Sequence, residues 1–394
     1  MSDGPLPQAT EAASRAHRLG LILGLGGFAG SLASRSTDPL VGVLSHDLGV
    51  TPEAAALLSS AFALPFAGVQ PVLGPVGEAA GKLRVIVGCL LLLGLALAAC
   101  ALAPGFESLL AGRFLAGMAA GGVTPLALAA LGDRTPLTER QLVISRFLAL
   151  AIGGQVLGGA MSGVLEPWVG WRGVMLICAA SALVAAWLIR ASLRGEPPEA
   201  RHRFDLALAL RRYRALLASP AARLLFGAVF TEGLLVFGLF PYLAPLLARR
   251  GLGGPPEAGL VVGAFGIGGL GYAMLARPLL ARVGQRRMVM LGGAGAGLAL
   301  LGYGLATGWP GFVAASLLLG FSFYMLHNSI QARATELAPQ ARGSAMALHA
   351  SSFFLGQTLG PVLFGLGLAG PGLLPTLILA ALGLATLGVR LGRR

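Results

Sequence analysis

The sequence predicts an all-α integral membrane protein, with twelve transmembrane helices arranged as two pseudo-symmetric six-helix bundles. Three observations predict it. The 394 residues are 56% hydrophobic and 11% charged, with a mean hydropathy of +0.79, whereas a soluble domain carries roughly a quarter charged residues. Runs of about 20 apolar residues recur along the chain, each long enough to cross a hydrocarbon core of ~30 Å. Segments of the first half also return in the second at a nearly constant offset. Sixty glycines suit helices that approach closely in lipid and not the short alternating segments of a β-barrel.

The first 16 or so residues are polar with no apolar core before a cleavage site, so no signal peptide is expected. Spans follow at about 19–43, 54–74, 85–104, 108–131, 143–165 and 172–190, then 222–246, 258–277, 288–307, 311–333, 344–368 and 372–390. The longest polar interruption divides the chain into an N-terminal bundle (1–190), a linker (191–221) and a C-terminal bundle (222–394). Within the linker, leucines at 206, 208, 210 and 216 around Arg211, Arg212 and Arg214 fit either a short helix on a membrane surface or a solvated connection.

The net charge of +13 raises nucleic-acid binding, which the placement of the charge argues against. With both termini on one side, 24 of the 29 basic residues fall on that side, while Arg172, Arg249 and Arg250 fall on the other. The positive-inside rule makes the basic side cytoplasmic, and the charge then reports contact with an anionic leaflet. The expected location is the inner, plasma membrane, with both termini cytoplasmic. Trp168, Trp171 and Trp309 fall at outer helix ends and Trp187 near an inner one, as interfacial aromatic residues do. Cys89, Cys100 and Cys178 lie inside apolar spans and read as small buried hydrophobes, without metal-ligand spacing. No metal or cofactor is expected, and the chain is expected to act as a monomer.

The internal repeat is carried by two matches. Gly81-Lys82-Leu83-Arg84 after helix 2 corresponds to Gly284-Gln285-Arg286-Arg287 after helix 8, an offset of 203. Gly154-Gln155-Val156-Leu157-Gly158-Gly159 in helix 5 corresponds to Gly356-Gln357-Thr358-Leu359-Gly360-Pro361 in helix 11, an offset of 202. Parallel repeats of six helices are one transporter architecture, in which the halves rock about a midplane site.

On these residues the chain resembles the major facilitator superfamily of secondary transporters. Gly74-Pro75-Val76-Gly77-Glu78-Ala79-Ala80-Gly81-Lys82 is similar to the family's loop motif after helix 2, with Glu78 in place of the usual aspartate and Ala79 in place of the usual arginine. The resemblance implies that the acid sits against helix 11, near Arg342, and holds a cytoplasmic gate shut. Arg113-Phe114-Leu115-Ala116-Gly117 resembles the helix 4 arginine motif, and Gly154 to Gly163 the glycine-rich helix 5 motif of drug:proton antiporters, with Gly158-Gly159 where Gly-Pro is usual. The run Gly266-Ile267-Gly268-Gly269-Leu270-Gly271 spells a dinucleotide fingerprint, but it lies within an apolar span rather than a strand-turn-helix unit and reads as helix packing.

Of 16 acidic residues only Asp38 and Glu232 lie deep within spans, where ionised groups are costly and usually face a cavity or pair with one another. Arg35 and Asp38 stand three apart on one face of helix 1, and Arg113 lies at a similar depth in helix 4. These three fit either a substrate or proton site or an ion-pair network tying helices 1 and 4. Glu232 lies about 15 Å into helix 7, with no arginine of its own half at that depth. It reads either as a proton or cation site or as a hydrogen-bonded neutral acid. In helix 10, Tyr324, His327, Asn328 and Gln331 form a polar stripe that lines a cavity or bonds between helices.

A membrane-embedded enzyme would need a nucleophile with its base, or a metal cluster. Only His327 and His349 of five histidines reach membrane depth, with no carboxylate at ligand spacing in their helix, so no enzymatic activity is expected. The expected function is alternating-access transport, specifically proton-coupled efflux of a small amphipathic molecule or drug. The alternatives are uptake or exchange of an organic anion gripped by Arg35 and Arg113, movement of a lipid-like substrate, and a non-transporting sensor or assembly factor on the same scaffold.

Overall fold

The fold was obtained as a computed structural model in which residues 7–193, 206–337 and 342–393 are described. Arg194, Arg201 and Arg203 of the predicted linker, and Arg394, lie outside the described residues. Span 1 consists of α1 (Pro7–Arg35), a 3-10 turn (Asp38–Leu40) and α2 (Val41–Asp47). Spans 2 and 3 are α3 (Pro52–Ala80) and α4 (Lys82–Ala101), and span 4 is α5 (Phe106–Ala120) with α6 (Val123–Arg134). Spans 5 and 6 are the two arms of α7 (Leu137–Ser192), broken at Gly170. After α8 (Leu206–Ala218), span 7 consists of α9 (Pro220–Phe237), a 3-10 turn (Phe240–Tyr242) and α10 (Leu243–Arg249). Spans 8 and 9 are the arms of α11 (Pro255–Leu305), broken at Gly284, and spans 10 to 12 are α12 (Trp309–Glu336), α13 (Arg342–Ala369) and α14 (Leu373–Gly392). The twelve-span all-α architecture is the one the sequence predicts.

Three of the predicted spans are not continuous helices. Pro39 has no N–H for the carbonyl of Arg35, and Pro241 has none for the carbonyl of Phe237, so spans 1 and 7 break and restart through a 3-10 turn. Span 4 breaks at Gly121-Gly122, where Gln70 of α3 donates to the freed Gly121 carbonyl at 3.0 Å.

The duplication is written in the backbone. Gly49, Gly81 and Gly170 turn the chain between spans with φ of 65°, 93° and 66°, and Gly251, Gly284 and Gly372, 202 or 203 residues later, do so at 64°, 76° and 91°. These left-handed conformations favour glycine. The close helix crossings repeat as well. A methyl group on Gly154 or Gly158 would overlap the carbonyls of Phe28 and Leu32, and one on Gly356 or Gly360 would overlap those of Phe230 and Leu234. In the second bundle, Gly268 lies against the Leu317 carbonyl and Gly269 against the Tyr324 ring, so the fingerprint-like run is a helix-packing surface.

One apolar core runs from Ala16 to Ile189 within the first six spans, and a second from Val236 to Leu384 takes in only Ala56 from the first half. The bundles meet through α3 against α13 and α7 against α11. At the end opposite α8 the seam is tight. Gly163 lies on the Pro255 carbonyl and Gly259, Gly159 on Val262, and Ser60 Oγ donates to the Thr358 carbonyl at 2.7 Å. The two 3-10 turns also touch there, which sets the ends of α1 and α9 facing each other across the middle of the molecule.

Candidate functional site

The break after α1 places Arg35 at a helix end and Asp38 at the start of the turn, both buried. Arg35 Nη1 lies 3.4 Å from Asp38 Oδ2, and Ser59 of α3 donates to Asp38 Oδ1 at 2.6 Å. Arg35 then leaves its own bundle. Its Nη2 donates to Gln357 Oε1 of α13 at 2.5 Å, and its guanidinium stands 4.1 Å above the Phe237 ring of α9. Arg35 Nε is buried with no hydrogen-bond partner. Beside it lies a narrow gap, no larger than a water molecule in this closed arrangement, lined by Gln155 and Val156 of α7 and, from the second bundle, by Phe237, Phe240, Phe265 and Tyr324. Aromatic walls with few polar groups are the usual make-up of a small-molecule site.

Arg113 stands near enough to Asp38 for their charges to interact but makes no hydrogen bond or ion pair with it among the described residues. It is fully buried and donates to the carbonyls of Ala33 at 2.9 Å and Leu58 at 3.4 Å and to Thr37 Oγ1 at 3.4 Å, with Phe62 at 4.4 Å. The interrupted helix beyond Ala33 leaves acceptors that satisfy the guanidinium, so depth alone did not bring it onto Asp38. Its bonds hold α5 to α1 and α3.

Glu232 has a partner from another helix. His327 of α12 meets it with Nδ1 at 2.8 Å from Glu232 Oε2, and Glu232 itself is fully buried. The His327 ring stacks on Phe323 at 5.0 Å, with Phe353 at 4.8 Å and His349 at 5.4 Å between ring centroids. Glu232 Oε1 and His349 Nε2 are both buried without a hydrogen-bond partner among the described residues. Two unsatisfied polar atoms in one aromatic shell are unusual in a folded protein.

The predicted stripe on α12 divides. Tyr324 lines the pocket and His327 binds Glu232, whereas Asn328 is exposed and lies near Tyr272, and Gln331 is half-buried. Of the gating candidates, Gly74 lies within α3 and Gly81 forms the turn after it. Lys82 pairs with Asp133 of α6. Glu78 and Arg342 are exposed and share no bond among the described residues. The packing candidates Gly154, Gly158, Gly159, Gly163, Gly356 and Gly360 all sit at helix crossings, and the Pro361 carbonyl accepts from the Tyr242 hydroxyl at 2.8 Å. Sequence reasoning passed over Ser59 and Phe237, which carry no motif, and weighed Gln357 only as part of the repeat.

Among the described residues no cluster of histidine, cysteine and carboxylate side chains is arranged to hold a metal ion. The profile of the Major Facilitator Superfamily matches residues 23–361. The chain is 26% identical to an uncharacterised transporter of that superfamily, YwfA of Bacillus subtilis, over 88% of this chain and 84% of the relative. It is 26% identical to the 4-hydroxybenzoate transporter PcaK of Pseudomonas aeruginosa, over 81% and 79%. It is 28% identical to a chloramphenicol resistance protein of Streptomyces lividans, over 69% and 66%. Two bundles of six spans, a seam between them that holds a buried arginine and an aromatic pocket, and a match over most of the chain lead to one conclusion: this chain is a multi-pass membrane transport protein that belongs to the Major Facilitator Superfamily.

Proposed function

We propose that the protein is a proton-coupled secondary transporter that exports a small amphipathic molecule by alternating access. The observation that carries this reading is the Glu232–His327 pair, in which one carboxyl oxygen is bonded and the other, Oε1, is buried and bare. A proton placed on that oxygen removes an uncompensated charge from an apolar shell, where such a charge is expensive. A site of this kind can be loaded on one side of the membrane and emptied on the other when the bundles rock. The pocket beside Arg35 offers aromatic surface for a ring and Gln155 for a polar group. The drug:proton antiporter resemblance of the helix 5 glycines and the chloramphenicol resistance protein among the relatives support the same reading.

The bundles 1–190 and 222–394 are the moving bodies, joined by the linker 191–221. In this reading the α8 end is cytoplasmic, and the contact of Glu78 with Arg342 forms when that end closes. A cysteine at Asp47 is then labelled from outside and one at Arg203 from inside; labelling of both from one side would overturn the topology. Liposome flux with and without a pH gradient tests the coupling. Glu232→Gln should lose accumulation against a gradient, and accumulation at the wild-type rate would remove Glu232 as the proton site.

One observation favours a second reading, uptake or exchange of an organic anion. Arg35 lies in the pocket wall with its Nε unpaired, and PcaK, by its name, carries 4-hydroxybenzoate. Flux of aromatic carboxylates in the same liposomes, lost in Arg35→Gln and unchanged in Glu232→Gln, would select that reading.

A further inference from the structure

Helix α8 is fastened to the transmembrane part by a bond that the prolines of α3 create. Pro75 has no N–H, so the carbonyl of Pro71, four residues earlier, has no helical donor. The Tyr213 hydroxyl takes that place, donating to Pro71 O at 2.7 Å. Burial raises the Tyr213 hydroxyl above its ordinary value of 10.0, against the lowering effect of Arg212, so it remains a donor at physiological pH. Leu216, packed with Ala222, Phe226 and Ala345, anchors the same side of the helix.

The opposite side is unpartnered and has a definite chemistry. At about 100° per residue, Leu210 and Leu217 fall together and away from Leu216, and each is 47% exposed. Arg214 and Arg211 follow beside them, at about 40° and 100° from Leu210, whereas Arg212 falls on the Leu216 side; all three are exposed and make no hydrogen bond or ion pair among the described residues. Because α8 abuts α3, α9 and α13 near their ends, it sits at the level where the spans leave the bilayer. A helix at that level, apolar on one stripe and basic beside it, lies in the interface and is drawn to anionic lipid. Guanidinium groups also suit phosphate oxygens by shape.

We propose that this face of α8 is a binding surface for anionic phospholipid headgroups, with Leu210 and Leu217 entering the acyl boundary and Arg211 and Arg214 engaging the phosphates. Through Tyr213 the bound lipid is mechanically joined to α3, which forms half of one bundle seam. The proposal rests on the membrane-spanning assignment and not on the direction of insertion or on proton coupling.

The test uses the full chain with Cys89, Cys100 and Cys178 replaced by alanine and a fluorophore on Leu210→Cys. It is reconstituted in vesicles doped in both leaflets with brominated phosphatidylglycerol or brominated phosphatidylcholine, which makes the result independent of orientation. Each basic residue near an anionic surface is worth roughly fivefold in binding. Brominated phosphatidylglycerol should therefore quench at a several-fold lower mole fraction than the choline lipid, and the difference should disappear in Arg211→Gln/Arg214→Gln. Equal quenching by the two lipids in the parent, or a preference that survives the double substitution, would overturn the proposal. Quenching by neither lipid, with a signal that follows protein density, would assign the face to a second copy instead. A second measurement avoids the cysteine background: anionic lipid retained by the detergent-purified wild-type chain should exceed that retained by the double variant, and equal retention counts against the surface.

Discussion

The Arg35 guanidinium belongs to the first bundle, and the oxygen it meets at 2.5 Å, Gln357 Oε1, belongs to the second. The same guanidinium is held from behind by Asp38 and from above by Phe237. Arg35 is thus a tie across the seam that must part whenever the end opposite α8 opens. One guanidinium thus bonds both within its own bundle, to Asp38, and across the seam, to Gln357.

Cutting that tie should release the closed end. A hydrogen bond to a charged group is worth ~1.5–3 kcal/mol, so Gln357→Leu is expected to raise the open population about tenfold or more. The reporter is Ala56→Cys, buried on the second core, challenged with a membrane-impermeant thiol reagent in a background with the native cysteines replaced. An unchanged reaction rate would show that the tie does not hold the seam.

Asp38 should be needed for stability because of Arg35. Removing one partner of a buried ion pair costs ~3–5 kcal/mol, much of it from the charge left behind. Asp38→Ala should lower the melting temperature in detergent by more than Arg35→Gln/Asp38→Ala does, since the double variant leaves no orphaned charge. If the double variant is the less stable by the full sum of the single losses, the two residues act independently.

Adjacent glycines in α7 should answer oppositely to the same change. Gly153 faces open space, whereas Gly154 lies on the Phe28 carbonyl. Alanine in a helix interior gains ~0.5–1 kcal/mol over glycine, so Gly153→Ala should stabilise slightly. Gly154→Ala must push backbone apart, at ~1–3 kcal/mol, and its repeat mate Gly356→Ala should behave likewise. Thermal melting of the four proteins, wild type included, checks the order; a tolerated Gly154→Ala would mean that α1 and α7 are free to separate.

The sequence carried the twelve spans because lipid demands long apolar runs whatever the packing, and it carried the duplication because the turn glycines cannot be replaced at positive φ. Arg35 and Asp38 were legible as a pair since three residues along a chain fix their neighbourhood. Arg113 was grouped with them by depth, but counting residues gives no direction around a helix, so its bonds to the Ala33 and Leu58 carbonyls were not legible. Glu232 and His327 are 95 residues apart on α9 and α12, and no periodicity reports which helices cross. The breaks in spans 1 and 7 had a visible signal in Pro39 and Pro241, which the hydropathy of a span hides.

The coupling prediction turns on what each partner of Glu232 does. Glutamine at 232 keeps the size of the side chain and an oxygen for His327 Nδ1, but it cannot gain or lose a proton. His327→Leu leaves the acid in place and removes its only hydrogen-bond partner among the described residues, so Oε2 joins Oε1 as an unsatisfied atom. If the pair moves protons, Glu232→Gln should abolish uphill transport yet preserve exchange of labelled for unlabelled substrate, because exchange needs the bundles to rock but no proton to be released. His327→Leu should impair both, since an unsatisfied buried acid costs ~1–3 kcal/mol or more and disturbs the shell of Phe323 and Phe353. A purely structural pair predicts no such split, with Glu232→Gln losing exchange and uphill flux in equal proportion. Measuring both fluxes in liposomes, with the outer pH stepped from acid to neutral, separates the two. Uphill flux in Glu232→Gln that still follows the pH step would move the proton site away from this pair, with Asp38 the next carboxyl to test.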